Sequence, residues 1–157
     1  MRVEVFGTHK GISKKWIAQW CEGALKLTPK KIQRTFSDKE LLVIFVSKAR
    51  MEKLNSQFRK KNAATDILSF APIESGTNGE LVLSLQVISA QAKFFEWTCK
   101  EELGFMLIHG ILHLAGYDHE VDVGRARVMM NLQKKIFQKL AKVAFRKQRA
   151  REYLITK

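Results

Sequence analysis

At 157 residues the chain has the length of one domain, 1–157, with a core large enough to need no disulfides. Two cysteines, Cys21 and Cys99, exclude a disulfide framework, and no run approaches the 18 apolar residues of a membrane span. The formal charge of +13 and pI near 10.0 describe a surface that attracts polyanions, nucleic acid first and an anionic membrane second.

The opening residues, Met1 to Phe6, alternate Val3 and Val5 with Arg2 and Glu4 and read as a short strand. They carry no apolar stretch of signal-peptide length, so the expected compartment is the cytoplasm. Ser13 can cap a helix whose apolar stripe is Trp16, Ile17, Trp20, Ala24 and Leu27, with both tryptophans assigned to core packing. Glu40 to Ser47 is a β-rich apolar run and reads as a buried strand. Ser47 then caps KARMEKLNSQFRKK, where Met51, Leu54 and Phe58 recur at helical spacing.

Thr65 to Ala71 (TDILSFA) reads as a strand, ESGTNG at 74–79 as a turn or loop, and GELVLSL at 79–85 as a strand that pairs with the first as a hairpin. Val87 to Trp97 is expected to be helical, with Ala92 and Phe95 inward. Cys99 to Ala115 is an apolar helix with Leu103, Met106, Leu107, Ile111 and Leu114 on a broad buried face. From about Asp122 the chain reads as one long amphipathic helix. Met129, Leu132, Ile136, Leu140 and Val143 form its apolar stripe, and ten lysines and arginines from Arg125 to Arg151 fill its other faces. Such a face is either an anion-binding surface or a merely solvated one. Strands mixed with helices, without regular βαβ alternation, indicate an α+β fold with a small mixed sheet and several helices.

Three of the four histidines fall within HGILHLAGYDH. On a helix, His109 and His113 project from one face, and Gly116 lets the chain stop and turn His119 back toward them. Three imidazoles with no obvious fourth protein ligand describe a catalytic zinc site, set on a helix and its turn, with a position open to water. The spacing is that of H-E-x-x-H-x-x-G-x-x-H, yet Gly110 stands where the zinc peptidases have their general base. The ligand frame is therefore present and the peptidase machinery incomplete.

LNSQFRKKNAATDILSF, GELVLSLQVISAQA and HGILHLAGYDH together resemble the signature blocks of the YbeY family of bacterial endoribonucleases and ribosomal RNA maturation factors. The resemblance runs from about Leu54 to His119. It implies a zincin-like α+β fold, one Zn2+ per chain on His109, His113 and His119, and metal-dependent cleavage of single-stranded RNA. It also implies 3′-end maturation of 16S ribosomal RNA and ribosome quality control, with small-subunit rRNA and the ribosome as partners and no membrane. The functionally important arginine of that family falls on Arg59. This chain has Gly79-Glu80 where the family commonly has Gly-Asp, and it turns basic at Arg125 and Arg127 where an acidic stretch is frequent.

On this reading zinc acidifies a water or polarises a phosphoryl oxygen, and Arg59 offers a planar charged fork to phosphate. A water-activating carboxylate is not compulsory, because RNA carries an adjacent 2′-hydroxyl. Asp66 and Asp118 are secondary candidates for orienting an imidazole, each equally readable as a turn or strand-start aspartate. Ser69 reads either as a hydrogen-bonding residue near the site or as an ordinary strand serine, and Tyr117 as turn packing in preference to a proton donor. Two competing functions follow from the same residues: a metallopeptidase, and a non-catalytic, zinc-stabilised ribosome-assembly factor.

Overall fold

The computed structural model describes residues 1–7, 11–36, 39–73, 76–117 and 123–145. Among these residues, four strands form one mixed sheet: β1 (Arg2–Phe6), β2 (Glu40–Phe45), β3 (Ile67–Phe70) and β4 (Thr77–Leu83), in the order β1-β2-β4-β3. The pairs β1–β2 and β2–β4 are parallel, and β3–β4 is an antiparallel hairpin. The helices are α1 (Lys14–Lys26), α2 (Lys30–Thr35), α3 (Lys48–Arg59), α4 (Leu85–Phe94), α5 (Cys99–Leu114) and α6 (Val123–Ala144). The architecture is the expected α+β fold.

Local chemistry explains most boundaries. The Ser13 and Ser47 hydroxyls each accept a backbone N–H at 3.2 Å, from Trp16 and Arg50, and so start α1 and α3. Thr98 and Glu101 form a reciprocal capping box at the start of α5. Gly116 (φ +85) ends that helix as expected. Its N–H donates to the His113 carbonyl at 2.9 Å, and the Tyr117 N–H donates to that of Leu112 at 3.1 Å, the paired bonds of a Schellman stop.

Four expectations need correction. Helix α2 has no sequence signal, because its six residues bury only Ile32. Strand β4 begins at Thr77, inside the segment read as a turn. A bulge there places two β4 residues, Asn78 and Gly79, against Leu41 alone, and Gly79 (φ +106) takes the left-handed conformation the bulge needs. Helix α4 spans 85–94 instead of 87–97, ending where Glu96 turns left-handed (φ 57), so that Trp97 leaves the helix and stacks on Phe137. Val143 is 74% exposed, and Phe137 and Ala141 take the buried positions on α6.

Helix α5 is the centre of the molecule. Eleven of its residues are buried, between the sheet on one side and α1 and α6 on the other. Two glycines permit this. A Cβ on Gly104 would lie 2.7 Å from the Trp20 ring, whose Nε1 donates to the Gly104 carbonyl at 2.8 Å. A Cβ on Gly110 would lie 2.5 Å from Leu81 Cδ2 and 2.7 Å from Ile67 Cδ1. The helix backbone thus rests directly on the β3–β4 hairpin. A smaller cluster, Met51, Leu68 and Val82, fills the opposite face of the sheet under α3.

Candidate active site

Within the last turns of the buried α5, two polar residues remain partly open to solvent, His109 and His113. Their rings lie on one face with centroids 4.7 Å apart, the consequence of a four-residue spacing on a helix. Both line a cavity of about 480 Å³ whose other walls come from the α3 terminus, the start of β3 and α6. Among the described residues, two imidazoles converge there. His119 and Asp118, the other expected members of the histidine block, lie outside the described residues. Imidazole nitrogens are good zinc donors, and the open cavity in front of the pair leaves room for further ligands, so the residues present fit the metal.

Arg59 lines the same cavity. It is the last residue of α3, and the chain behind it turns sharply at Lys60, which is left-handed (φ 59, ψ 28). Asn55, buried one turn earlier, donates from Nδ2 to the Ala63 carbonyl at 2.7 Å. Ser56 Oγ donates to Asn62 Oδ1 at 2.8 Å. The polar residues of LNSQFR therefore tie down the loop that follows Arg59.

Asp66 also lines the cavity, but its carboxylate is engaged elsewhere. Oδ1 accepts from the Ile67 N–H at 2.8 Å and the Thr65 hydroxyl at 3.0 Å, and Oδ2 accepts from Gln91 Nε2 at 3.1 Å. The Asp66 carbonyl also accepts the Ser84 N–H. These contacts make it the clamp that joins β3 to α4. Ser69 lies on the cavity wall, whereas Tyr117 packs against the main core.

Gln133 is the residue that sequence reading missed. It comes from α6 and is fully buried (0% exposed), with Oε1 3.0 Å from His109 Nδ1 and Nε2 donating to the Phe105 carbonyl at 3.0 Å. The available signal was a polar residue four after Met129 and four before Phe137, inside an apolar stripe.

Gly110 removes the peptidase reading. Any side chain there would run into Leu81 and Ile67 of the sheet, so the position has no room for the general base.

A family model described as endoribonuclease YbeY matches residues 3–141. The chain is 40% identical over 131 residues to endoribonuclease YbeY of Bdellovibrio bacteriovorus, covering 82% of this chain and 87% of that one. It is 35% identical over 137 residues to endoribonuclease YbeY of Thermosipho melanesiensis, covering 86% and 93%. The solution structure of a Thermotoga maritima protein superposes with a TM-score of 0.61 at 29% identity, covering 99% of both chains. The fold, the order of the sequence blocks and these matches agree: the chain belongs to the endoribonuclease YbeY family.

Proposed function

We propose that this endoribonuclease is zinc-dependent, cuts single-stranded RNA, and acts in 3′-end maturation of 16S ribosomal RNA and in ribosome quality control. The observation that carries the reading is one cavity lined by Arg59, His109 and His113 together. His109, His113 and His119 would hold the ion. Bound there, zinc supplies a Lewis acid for a phosphoryl oxygen or an acidified water.

The chain's own residues do the rest. Arg59 presents parallel N–H donors to two oxygens of the scissile phosphate and offsets the charge that grows on them. Because Arg59 is the last residue of a capped helix, its backbone is fixed before substrate arrives, and a donor on a fixed element gains most. The outer face of α6 displays Arg125, Arg127, Lys135, Lys139 and Lys142, all exposed, with no acidic residue in the helix. That row suits the sugar–phosphate backbone flanking the cut, and binding of this kind weakens steeply with salt.

The test is cleavage of a labelled single-stranded RNA by wild type and by His113→Ala purified in parallel, with zinc content measured on both. Cleavage and zinc in wild type, with both lost in the variant, support the reading. Equal zinc in the two proteins removes His113 from the ligand set. Zinc in wild type without cleavage of either free RNA or isolated small subunits favours the non-catalytic assembly factor.

A further inference from the structure

Gln133 makes two hydrogen-bonding contacts, and one of them dictates the other. The backbone carbonyl of Phe105 can only accept, so the amide atom 3.0 Å from it must be the Nε2 donor. The reverse orientation would set two oxygens against each other in a site from which water is excluded. Oε1 is thereby turned toward His109, 3.0 Å from Nδ1, and an amide oxygen can only accept. His109 Nδ1 must therefore carry the hydrogen. In the neutral ring the lone pair then lies on Nε2, the nitrogen at the far edge of the imidazole from Gln133.

We propose that Gln133 is a positioning residue that holds His109 in the Nδ1–H form and fixes its ring plane, so that Nε2 is the atom offered to the cavity. The arrangement spans two helices. Gln133 belongs to α6 and grips α5 twice, at the Phe105 carbonyl and at the His109 ring one turn later. Its burial makes the link rigid, since α6 cannot shift along α5 without stranding a buried amide. His113 is placed by helix geometry beside it, with ring planes 67° apart. The relevance of Nε2 to metal rests on the zinc reading above; the tautomer itself does not.

The experiment uses the full chain labelled with 15N-histidine, first metal-free at mildly alkaline pH where imidazoles are neutral. Two-bond 1H–15N correlations distinguish the tautomers, and His109→Asn assigns the ring. The expected result is a His109 ring protonated on Nδ1 in wild type, and loss of that preference in Gln133→Leu. A wild-type ring protonated on Nε2 overturns the proposal, with no variant needed.

The second readout is zinc affinity by competition with a chelator. Gln133→Leu should bind zinc about 10- to 100-fold more weakly, the effect typical of removing an orienting partner. A folded Gln133→Leu protein with wild-type zinc affinity overturns the positioning role. Wild type that shows the Nδ1–H ring yet takes up no zinc supports the tautomer lock and refutes the metal reading, so the two failures are distinguishable.

Discussion

Replacing Gly110 with glutamate restores the residue that zinc peptidases use as general base, and the structure predicts damage where the motif predicts a gain. A Cβ at this position falls 2.5 Å from Leu81 Cδ2, about 0.9 Å short of the 3.4 Å at which ordinary contact begins, and 2.7 Å from Ile67 Cδ1. Leu81 is fully buried and cannot retreat without displacing the core, while Ile67 is nearly buried on the cavity wall. Overpacking of this kind costs about 1–3 kcal/mol. Alanine in mid-helix regains about 1 kcal/mol over glycine, so Gly110→Ala should lose about 0–2 kcal/mol. Glutamate adds a carboxylate pressed between apolar side chains, and an uncompensated buried charge costs roughly 3–5 kcal/mol more. The total is a large share of the ~5–15 kcal/mol that holds a domain together. Urea unfolding of wild type, Gly110→Ala and Gly110→Glu measures it, with casein hydrolysis as the parallel activity assay. A Gly110→Glu protein as stable as wild type, or one that acquires peptidase activity, would refute the placement of this position against the sheet.

Gly79→Ala should lose about 2–5 kcal/mol, because its Cβ would meet the Phe70 carbonyl oxygen at 2.5 Å and its φ of +106 disfavours any side chain. At ~2–4 °C per kcal/mol for a chain of this size, the melting temperature should fall by on the order of 10 °C, and an unchanged melt would contradict the bulge. Arg59→Ala should leave stability within about 0.5 kcal/mol of wild type, since Arg59 is exposed, and should leave zinc content unchanged while RNA cleavage falls. Wild-type cleavage by that variant would end the phosphate-binding role. Burial pushes the Cys21 thiol from 9.0 up to about 12. The native state keeps this proton at pH values where the unfolded chain has released it, so the contribution is complete below pH 9 and is lost as pH rises toward 12. The slope is at most about 1.4 kcal/mol per pH unit, and Cys21→Ala should flatten denaturation midpoints over that window.

The fold was legible wherever local chemistry and burial coincided. Ser13 and Ser47 announced their helices because their hydroxyls cap them, and Gly116 marked the end of α5 because it is the glycine of a Schellman stop. The same stop at Glu96 passed unseen, since a glutamate in the left-handed region carries no composition signal, and α4 was read three residues too long at that end. Thr77 and Asn78 looked like turn residues and are strand residues, because a bulge admits them and neighbouring strands supply the pairing. At the site, helical spacing alone was enough to set His109 beside His113. The approach of Arg59 depends on a loop folded back by Asn55, and spacing cannot show that. Gln133 was hidden because its role lies in a contact across 24 positions of sequence with a ring on another helix.

The aromatic surroundings of α6 give the site an optical handle. Trp97 stacks face to face on Phe137 at 5.3 Å, Trp20 meets the same ring edge-on at 5.9 Å, and Trp16 and Trp20 both approach Phe145 just past the helix end. Every tryptophan in the chain therefore touches the segment that carries Gln133. Any partial release of that segment, short of global unfolding, would loosen His109 and alter indole emission and near-ultraviolet dichroism together. The integrity of the histidine site can thus be followed by fluorescence in the unmodified protein, before any substrate is added.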